Sequence, residues 1–223
     1  MTALNAAMPP LPDRFKRLPI DERGYPVPRF VAQIEGKWDF RCIRTGWVGH
    51  CYRTGACWLC GDRLGTRKAF VIGPMCAINR VTSEPPSHFD CARFAVMACP
   101  FMCFPNRKRD EHNLPKDKFI PGVHIDRNPG AFCLWVARSY KPFDAGDGST
   151  LFRIEKPSYV EWWACGRQAT RAEVLQSIES GYPLLKKAAA RDGVEGLKEL
   201  ERGLIEAMKL VPPFVPEPNM AHA

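Results

Sequence analysis

Four residues of the chain have the types and spacing of a metal-binding set. Cys57 and Cys60 form a C-x2-C pair followed by Gly61. His88 and Cys91 form an H-x2-C pair, and 27 residues separate Cys60 from His88. Two cysteines three positions apart on a tight turn can direct both sulfurs at one ion, and two ligands three apart on a helix share a face. Three thiolates and one imidazole complete a tetrahedral Zn²⁺ site, and a site closed by four protein ligands is structural.

Two other interpretations of these cysteines remain open. A C-x2-C pair is also typical of redox proteins, where it begins a helix after a strand, whereas turn residues follow it here. The pairs could also be buried thiols without a metal, because free cysteine is among the most buried residue types. Other cysteines could supply a substitute ligand: Cys51, Cys76, Cys99 and Cys103.

The residues between the two pairs predict a β-hairpin. RKAFVI (67–72) has the composition of a strand, Gly73-Pro74 that of a turn, and MCAINRV (75–81) that of a second strand. Ser87, with Asp90 three residues later, predicts a capped helix start, and the helix should end near Pro100. A knuckle, a hairpin and a helix start in this order resemble the treble-clef zinc fold over about residues 57–99.

Catalytic motifs are weak in this chain. Some treble-clef proteins are HNH-type nucleases with a histidine between the two ligand pairs, and no histidine lies between Cys60 and His88. The zinc deaminase signature is also missing. His124 and Asp126 would share one face of a strand, which keeps a metal-dependent hydrolase or nuclease open as an alternative.

Positive charge is concentrated in the first half of the chain. Residues 1–110 contain 17 Lys/Arg and 9 Asp/Glu, whereas residues 111–223 contain 15 of each. This excess favours a polyanionic partner, DNA or RNA, over a purely solubilising role. The alternative is a protein-interaction module with structural zinc, which an exposed apolar patch would favour. The candidate phosphate contacts are Arg63, Arg67, Lys68, Arg80, Arg107, Lys108 and Arg109.

The whole chain is predicted to be an α+β protein in three parts. Residues 1–35 should form an extended proline-rich arm, residues 36–110 a basic zinc-binding treble-clef region, and residues 111–223 a small sheet with C-terminal helices. Only short strands and turns are expected over residues 36–56. In the last part, Thr170 and Glu173 predict a capping box, Gly181 a helix end, and a leucine stripe the final helix.

The predicted environment is the cytoplasm. No apolar run approaches the ~18 residues of a membrane helix, and the N-terminus lacks the apolar core of a secretory signal. The stretches 69–95 and 161–181 resemble an uncharacterised family from actinobacteria and their bacteriophages. The resemblance covers most of the chain and implies a cytosolic, phage-encoded or bacterial protein, without implying an activity. The protein-interaction alternative would then be a phage or bacterial module that binds a host or phage protein.

Overall fold

The computed structural model of the chain describes residues 3–104, 128–146 and 148–213. Its strands are β1 (Val31–Ile34), β2 (Lys37–Ile43), β3 (Lys68–Ile72), β4 (Val81–Thr82), β5 (Phe132–Ala137), β6 (Tyr140–Asp144), β7 (Thr150–Ile154), β8 (Tyr159–Ala164) and β9 (Arg167–Gln168). Its α-helices are α1 (Trp47–Thr54), α2 (Pro74–Asn79), α3 (Phe89–Ala98), α4 (Pro100–Cys103), α5 (Arg171–Ala189) and α6 (Gly193–Met208), with 3-10 turns at Asp13–Arg17 and Ala190–Asp192. These elements confirm a mixed α/β protein with small sheets and C-terminal helices.

A four-stranded antiparallel sheet, in the order β3-β5-β8-β9, carries most of the core. All of β5 is buried, and its side chains alternate between the two faces of the sheet. Cys133 and Trp135 pack with α2, α5 and α6 on one face, whereas Leu134 and Val136 pack with α3 on the other. Because β3 precedes residue 111 and the other strands follow it, both halves of the chain contribute to one sheet.

Two smaller sheets and the N-terminal segment complete the described fold. One sheet is the β1-β2 pair, and the other has the order β4-β7-β6. The segment before residue 36 packs closely on the body: the Phe15 ring meets Phe94 of α3 edge to face at 5.0 Å, and Phe30 stacks on Trp58 at 4.8 Å. These aromatic contacts hold the segment against the region that contains the first cysteine pair.

The predicted second strand over residues 75–81 is wrong, because α2 occupies most of it. Pro74 lies in the first turn of this helix, where its fixed φ and missing N–H are tolerated. Ile78 is buried in the core beneath α5 and α6, and Arg80 ends the helix with a φ of +55°. Tertiary burial therefore outweighs the strand propensity of this stretch, and β3 is the one correct strand of the predicted hairpin.

Helices also replace two other predicted features. The segment 36–56 contains β2, as expected, but then forms α1, which the sequence analysis did not predict although Gly55 ends it in the left-handed conformation typical of a helix C-cap. The predicted helix end at Gly181 is wrong, since α5 continues through Gly181 and Pro183 to residue 189. A Cβ at position 181 would lie 3.0 Å from the sulfur of Met75, so this glycine serves the packing of α5 on α2.

The N-terminus of α5 confirms the predicted capping box and gives the fold a pH-dependent contribution. Hydrogen bonds from Arg167 lower the pKa of Glu173 to about 2, and the Thr170 backbone N–H adds to this shift against the cost of burial. The depressed pKa stabilises the folded chain above the ordinary value of 4.5, and this contribution is lost as the pH falls toward 2.

We expect Glu173→Gln to lower the free energy of unfolding by about 1 kcal/mol at pH 7, because the charge-assisted pair with Arg167 is lost while glutamine can still accept the Thr170 N–H. Urea denaturation at pH 7 and at pH 2.5 measures the effect. The difference in the free energy of unfolding between the variant and the wild type should be smaller at pH 2.5. Glu195→Gln is the matched control, since that carboxylate forms an exposed pair with Lys198 and should change stability little. If Glu173→Gln lowered the free energy of unfolding equally at both pH values, the depressed pKa of Glu173 would not be the source of the stabilisation.

None of the helices in the described parts of the chain is both long enough and apolar enough to cross a membrane.

Candidate metal centre

The four predicted ligands converge on one point. The ligand atoms of Cys57, Cys60, His88 and Cys91 all lie within 4.8 Å of one another, and the three cysteines are fully or almost fully buried. The Nδ1 atom of His88 lies 3.4 Å from the sulfur of Cys60 and 3.9 Å from that of Cys91. A tetrahedral ion with bonds of about 2.0–2.3 Å places neighbouring ligand atoms about 3.5–3.8 Å apart. The arrangement is therefore compatible with a metal site.

The first pair of ligands lies on a tight backbone turn. The Gly61 N–H donates to the carbonyl of Cys57 at 3.0 Å, and the Cys57 N–H donates to the carbonyl of Asp62 at 2.7 Å. Gly61 has a φ of +83°, a conformation that favours glycine. The Cys60 N–H points back to the sulfur of Cys57 at 3.5 Å, as expected for a knuckle that presents two sulfurs to one ion.

Backbone pairing brings the second pair to the first. Ser87 and Ala69 of β3 exchange two backbone hydrogen bonds of 2.7 and 2.9 Å, and the Trp58 N–H donates to Pro86 at 3.0 Å. The predicted helix cap at Ser87 is therefore wrong: Ser87 belongs to this pairing. His88 takes the N-cap position of α3 and has no capping side chain.

The His88 ring is oriented for ligation through Nδ1. Its Nε2 lies 3.1 Å from the carbonyl oxygen of Arg63. Because a carbonyl oxygen only accepts, Nε2 carries a hydrogen, and Nδ1 is the ring atom that faces the sulfurs. A backbone carbonyl behind the ligand is the ordinary way in which proteins fix the tautomer of a metal-binding histidine.

The pKa values of Cys57 and His88 are shifted in the directions that favour a positive charge beside a thiolate. Burial opposes ionisation of Cys57, but hydrogen bonds from Cys60, Cys91 and His88 hold its pKa well below the ordinary value. Hydrogen bonds to Cys57 and Cys60 raise the pKa of His88 to about 10. A thiolate and an imidazole therefore share a proton here, and a divalent ion would take the place of that proton.

Arg14 is the charged neighbour that sequence analysis missed. Its guanidinium lies 3.4 Å from Asp62 and 3.6 Å from Asp90, one carboxylate beside each ligand pair. Arg17 forms a second ion pair with Asp62. The 3-10 turn that carries both arginines therefore links the knuckle to the start of α3. No spacing rule connects residue 14 with residues 60 to 90, so the sequence held no signal for this contact.

The predicted phosphate contacts are in three different environments. Arg63 and Arg67 are exposed and line a shallow groove of about 560 Å³ beside the centre, together with Arg14 and Phe89. The ammonium group of Lys68 donates to three backbone carbonyls, those of Gly65, Thr66 and Arg138. Arg80 ends α2, on the other face of the sheet from α3. Arg107, Lys108 and Arg109 lie outside the described residues.

Aromatic rings lie between the arginines beside the groove. The Arg67 guanidinium lies 5.6 Å from the centre of the Phe89 ring, and Arg93 lies 6.0 Å from it. The exposed Tyr159 ring meets Phe89 edge to face at 5.8 Å. We call the set Arg63, Arg67, Phe89, Arg93 and Tyr159 the basic-aromatic surface. Sequence analysis missed Phe89 and Tyr159, which are 70 positions apart and meet only because β8 lies beside α3.

A buried carboxylate supports this surface. Glu161 is 8% exposed and accepts hydrogen bonds from the Tyr159 hydroxyl at 2.8 Å and from the Trp163 indole at 2.9 Å. The Glu161 oxygen that accepts from Trp163 also lies 3.6 Å from the Arg93 side chain. The three contacts hold Tyr159 and Arg93 side by side. Their spacing follows from strand periodicity, since Tyr159, Glu161 and Trp163 lie on one face of β8.

Two sequence predictions, the hydrolase pair and the family resemblance, stay predictions. His124 and Asp126, the alternative hydrolase pair, lie outside the described residues. Comparisons of the chain with protein-family models, with curated proteins and with solved structures give no match. The resemblance to actinobacterial and bacteriophage proteins therefore stays a prediction.

Proposed function

We propose that this protein is a non-catalytic, zinc-stabilised nucleic-acid-binding protein of the cytoplasm, and that the basic-aromatic surface is where the nucleic acid binds. The observation that carries the proposal is the alternation of guanidinium groups and aromatic rings directly beside the metal centre. Arginines neutralise phosphates, and exposed rings stack on bases.

The donor set supports zinc as the ion. Three thiolates with one imidazole are soft and borderline ligands in a tetrahedral arrangement, which favours Zn²⁺ over the oxygen-seeking cations Mg²⁺ and Ca²⁺. Cys57, Cys60, His88 and Cys91 would hold the ion, and four protein ligands leave no position for a reacting water. The ion would link the knuckle to α3 and so keep Arg63 and Phe89 on one surface.

A treble-clef-like unit is the arrangement that we propose for this region. The knuckle at Cys57, the strand β3 and the start of α3 correspond to three parts of that fold in the right order. The departure is the second strand of the hairpin: the chain forms α2 and then β4 there, and this stretch meets β3 through an isolated bridge at Ser87. The resemblance therefore extends to the four proposed ligands and to β3, the strand that follows the first pair.

Single strands are the expected form of the nucleic acid. Bases that stack on Phe89 or Tyr159 must be free of a duplex, and stacking contributes about 1–3 kcal/mol per base. Large exposed apolar side chains, which would favour a protein partner instead, are spread over several elements, including Tyr52 of α1, Leu184 of α5 and Ile205 of α6. This distribution supports the nucleic-acid proposal over the interaction module.

Fluorescence anisotropy with a labelled single-stranded oligonucleotide tests the proposal. Binding of the zinc-loaded full chain should weaken as salt rises. Arg67→Ala should reduce the salt dependence by about one phosphate contact, and Tyr159→Ala should weaken binding by about tenfold without changing that dependence.

Arg191→Ala is the matched control, because Arg191 is exposed and follows α5 on the opposite face of the sheet. It removes the same charge and should leave binding close to that of the wild type. The proposal is wrong if affinity ignores ionic strength, or if Arg67→Ala and Arg191→Ala bind equally well.

A further inference from the structure

A second concave site lies between the N-terminal segment and the β1-β2 hairpin, away from the basic-aromatic surface. This groove encloses about 540 Å³, within the range of about 300–1,000 Å³ that small-molecule sites occupy. Its lining mixes apolar residues, among them Val27, Val31 and Ala32 at its base, with polar ones such as Gln33 and Thr45. The volume accommodates one nucleotide-sized ligand.

The groove is cationic. Arg29 and Arg44 are exposed on its wall, and no carboxylate of the described residues lines it. Most other arginines near the N-terminus have acidic partners: Arg14 and Arg17 pair with Asp62, and Arg23 pairs with Asp21. Neither Arg29 nor Arg44 has an ion pair within the described ranges. Two guanidinium groups beside one cavity and without local compensation favour an anionic ligand, and their planar forks match a phosphate.

Both arginines are held in place by the fold. The Arg29 backbone N–H donates to the carbonyl of Leu59 at 2.8 Å, and a Cβ at Gly61 would lie 3.2 Å from its side-chain stem. Arg29 is therefore anchored on the knuckle of the metal centre. The Arg44 guanidinium lies over the Trp47 ring at 5.8 Å, and its backbone N–H donates to Phe30 at 2.6 Å. Such anchoring reduces the entropy lost when a ligand binds.

An aromatic ring completes the groove. Trp38 of β2 lines it and is 36% exposed, which is a large exposed fraction for an indole that packs on no partner ring among the described residues. An indole beside apolar side chains suits a flat, weakly polar group, and a nucleobase is such a group. Guanidinium groups that can bind a phosphate, next to an indole that can stack on a base, match the two parts of one nucleotide.

We propose that this groove binds a nucleoside phosphate, with the phosphate between Arg29 and Arg44 and the base against Trp38. The site uses none of the residues of the basic-aromatic surface, so it is independent of the proposed function. The same chemistry is offered by a free nucleotide and by one residue of a nucleic-acid strand.

Calorimetric titration of the zinc-loaded full chain with AMP tests the site. We expect one AMP per chain, and at least tenfold weaker binding of adenosine and of inorganic phosphate, since each keeps only half of the contacts. Arg44→Ala and Trp38→Leu should each weaken AMP about tenfold, and Arg44→Lys should weaken it less because the charge remains. In the double variant Arg63→Ala, Arg67→Ala, a tetra-adenylate that binds more than tenfold tighter than AMP identifies a strand as the source, whereas any smaller difference identifies the free nucleotide.

Two variants separate this site from the basic-aromatic surface. The double variant Arg63→Ala, Arg67→Ala should bind AMP as the wild type does, even if it no longer binds oligonucleotides. Arg191→Ala controls for the loss of one positive charge. The proposal is overturned if neither AMP nor the tetra-adenylate binds the double variant Arg63→Ala, Arg67→Ala saturably at millimolar concentration. It is also overturned if Arg44→Ala and Trp38→Leu bind as tightly as Arg191→Ala while their melting temperatures match that of the wild type.

Discussion

Replacing Cys60 by alanine is expected to abolish tight metal binding and to lower the melting temperature by about 10 °C, at about 2–4 °C per kcal/mol for a chain of this length. The variant leaves Cys57, Cys91 and His88 facing one another without a closed ligand set. The knuckle and the start of α3 would then be held together by backbone hydrogen bonds and by the ion pairs of Arg14. Elemental analysis and calorimetric melting of the purified chain measure both effects.

Cys51→Ala is the matched control for this result. Cys51 is fully buried in the same core cluster, but its sulfur does not belong to the converging ligand set. Its loss removes one small buried group and should cost about 1 kcal/mol, with the metal retained at one ion per chain. If Cys60→Ala kept its metal and had the melting temperature of the wild type, the metal centre would be refuted.

Gly203→Ala is expected to destabilise the protein by more than about 2 kcal/mol, although alanine is the better helix former by about 1 kcal/mol. Gly203 lies within α6, and a Cβ there would clash with the carbonyl oxygen of Ile78 in α2. That oxygen is part of a buried backbone, so relief requires the two helices to separate. Urea denaturation gives the change in the free energy of unfolding directly.

Gly181→Ala separates a backbone clash from crowding in general. Position 181 also lies within a helix and also faces α2, but the nearest atoms belong to the flexible side chain of Met75. Since a thioether can move aside, this variant should stay within about 1 kcal/mol of the wild type. A Gly203→Ala protein as stable as the wild type would show that α6 does not approach α2 as closely as described.

The convergence of the Cys/His cluster could be predicted from sequence because the information for it is local. The spacings of Cys57, Cys60, His88 and Cys91 each follow from the reach of a turn or of the first turn of a helix. The capping box at Thr170 is local in the same sense. By contrast, the helix α2 and the continuation of α5 depend on burial against each other, with Gly181 permitting the approach. Their own residues favoured a strand and a helix end.

The surroundings of the centre could not be predicted for the same reason. Arg14 reaches Asp90 across 76 positions, and Tyr159 meets Phe89 across 70. Both contacts exist because a strand or a turn from elsewhere in the chain lies beside α3. The charge count did identify the first half as basic, but it could not indicate that Lys68 is bound to carbonyls or that Arg80 lies beyond the sheet from α3.

The pairing of β3 with β5 sets an order of events during synthesis. All four metal ligands have left the ribosome once residue 91 has emerged, whereas Phe70 must wait for its partner Trp135, and β5 must wait for β8. Closing the shorter loop costs less chain entropy. A metal ion captured by the nascent chain would then hold β3 in place while the remaining strands arrive, so metal supply during translation should influence the yield of folded protein.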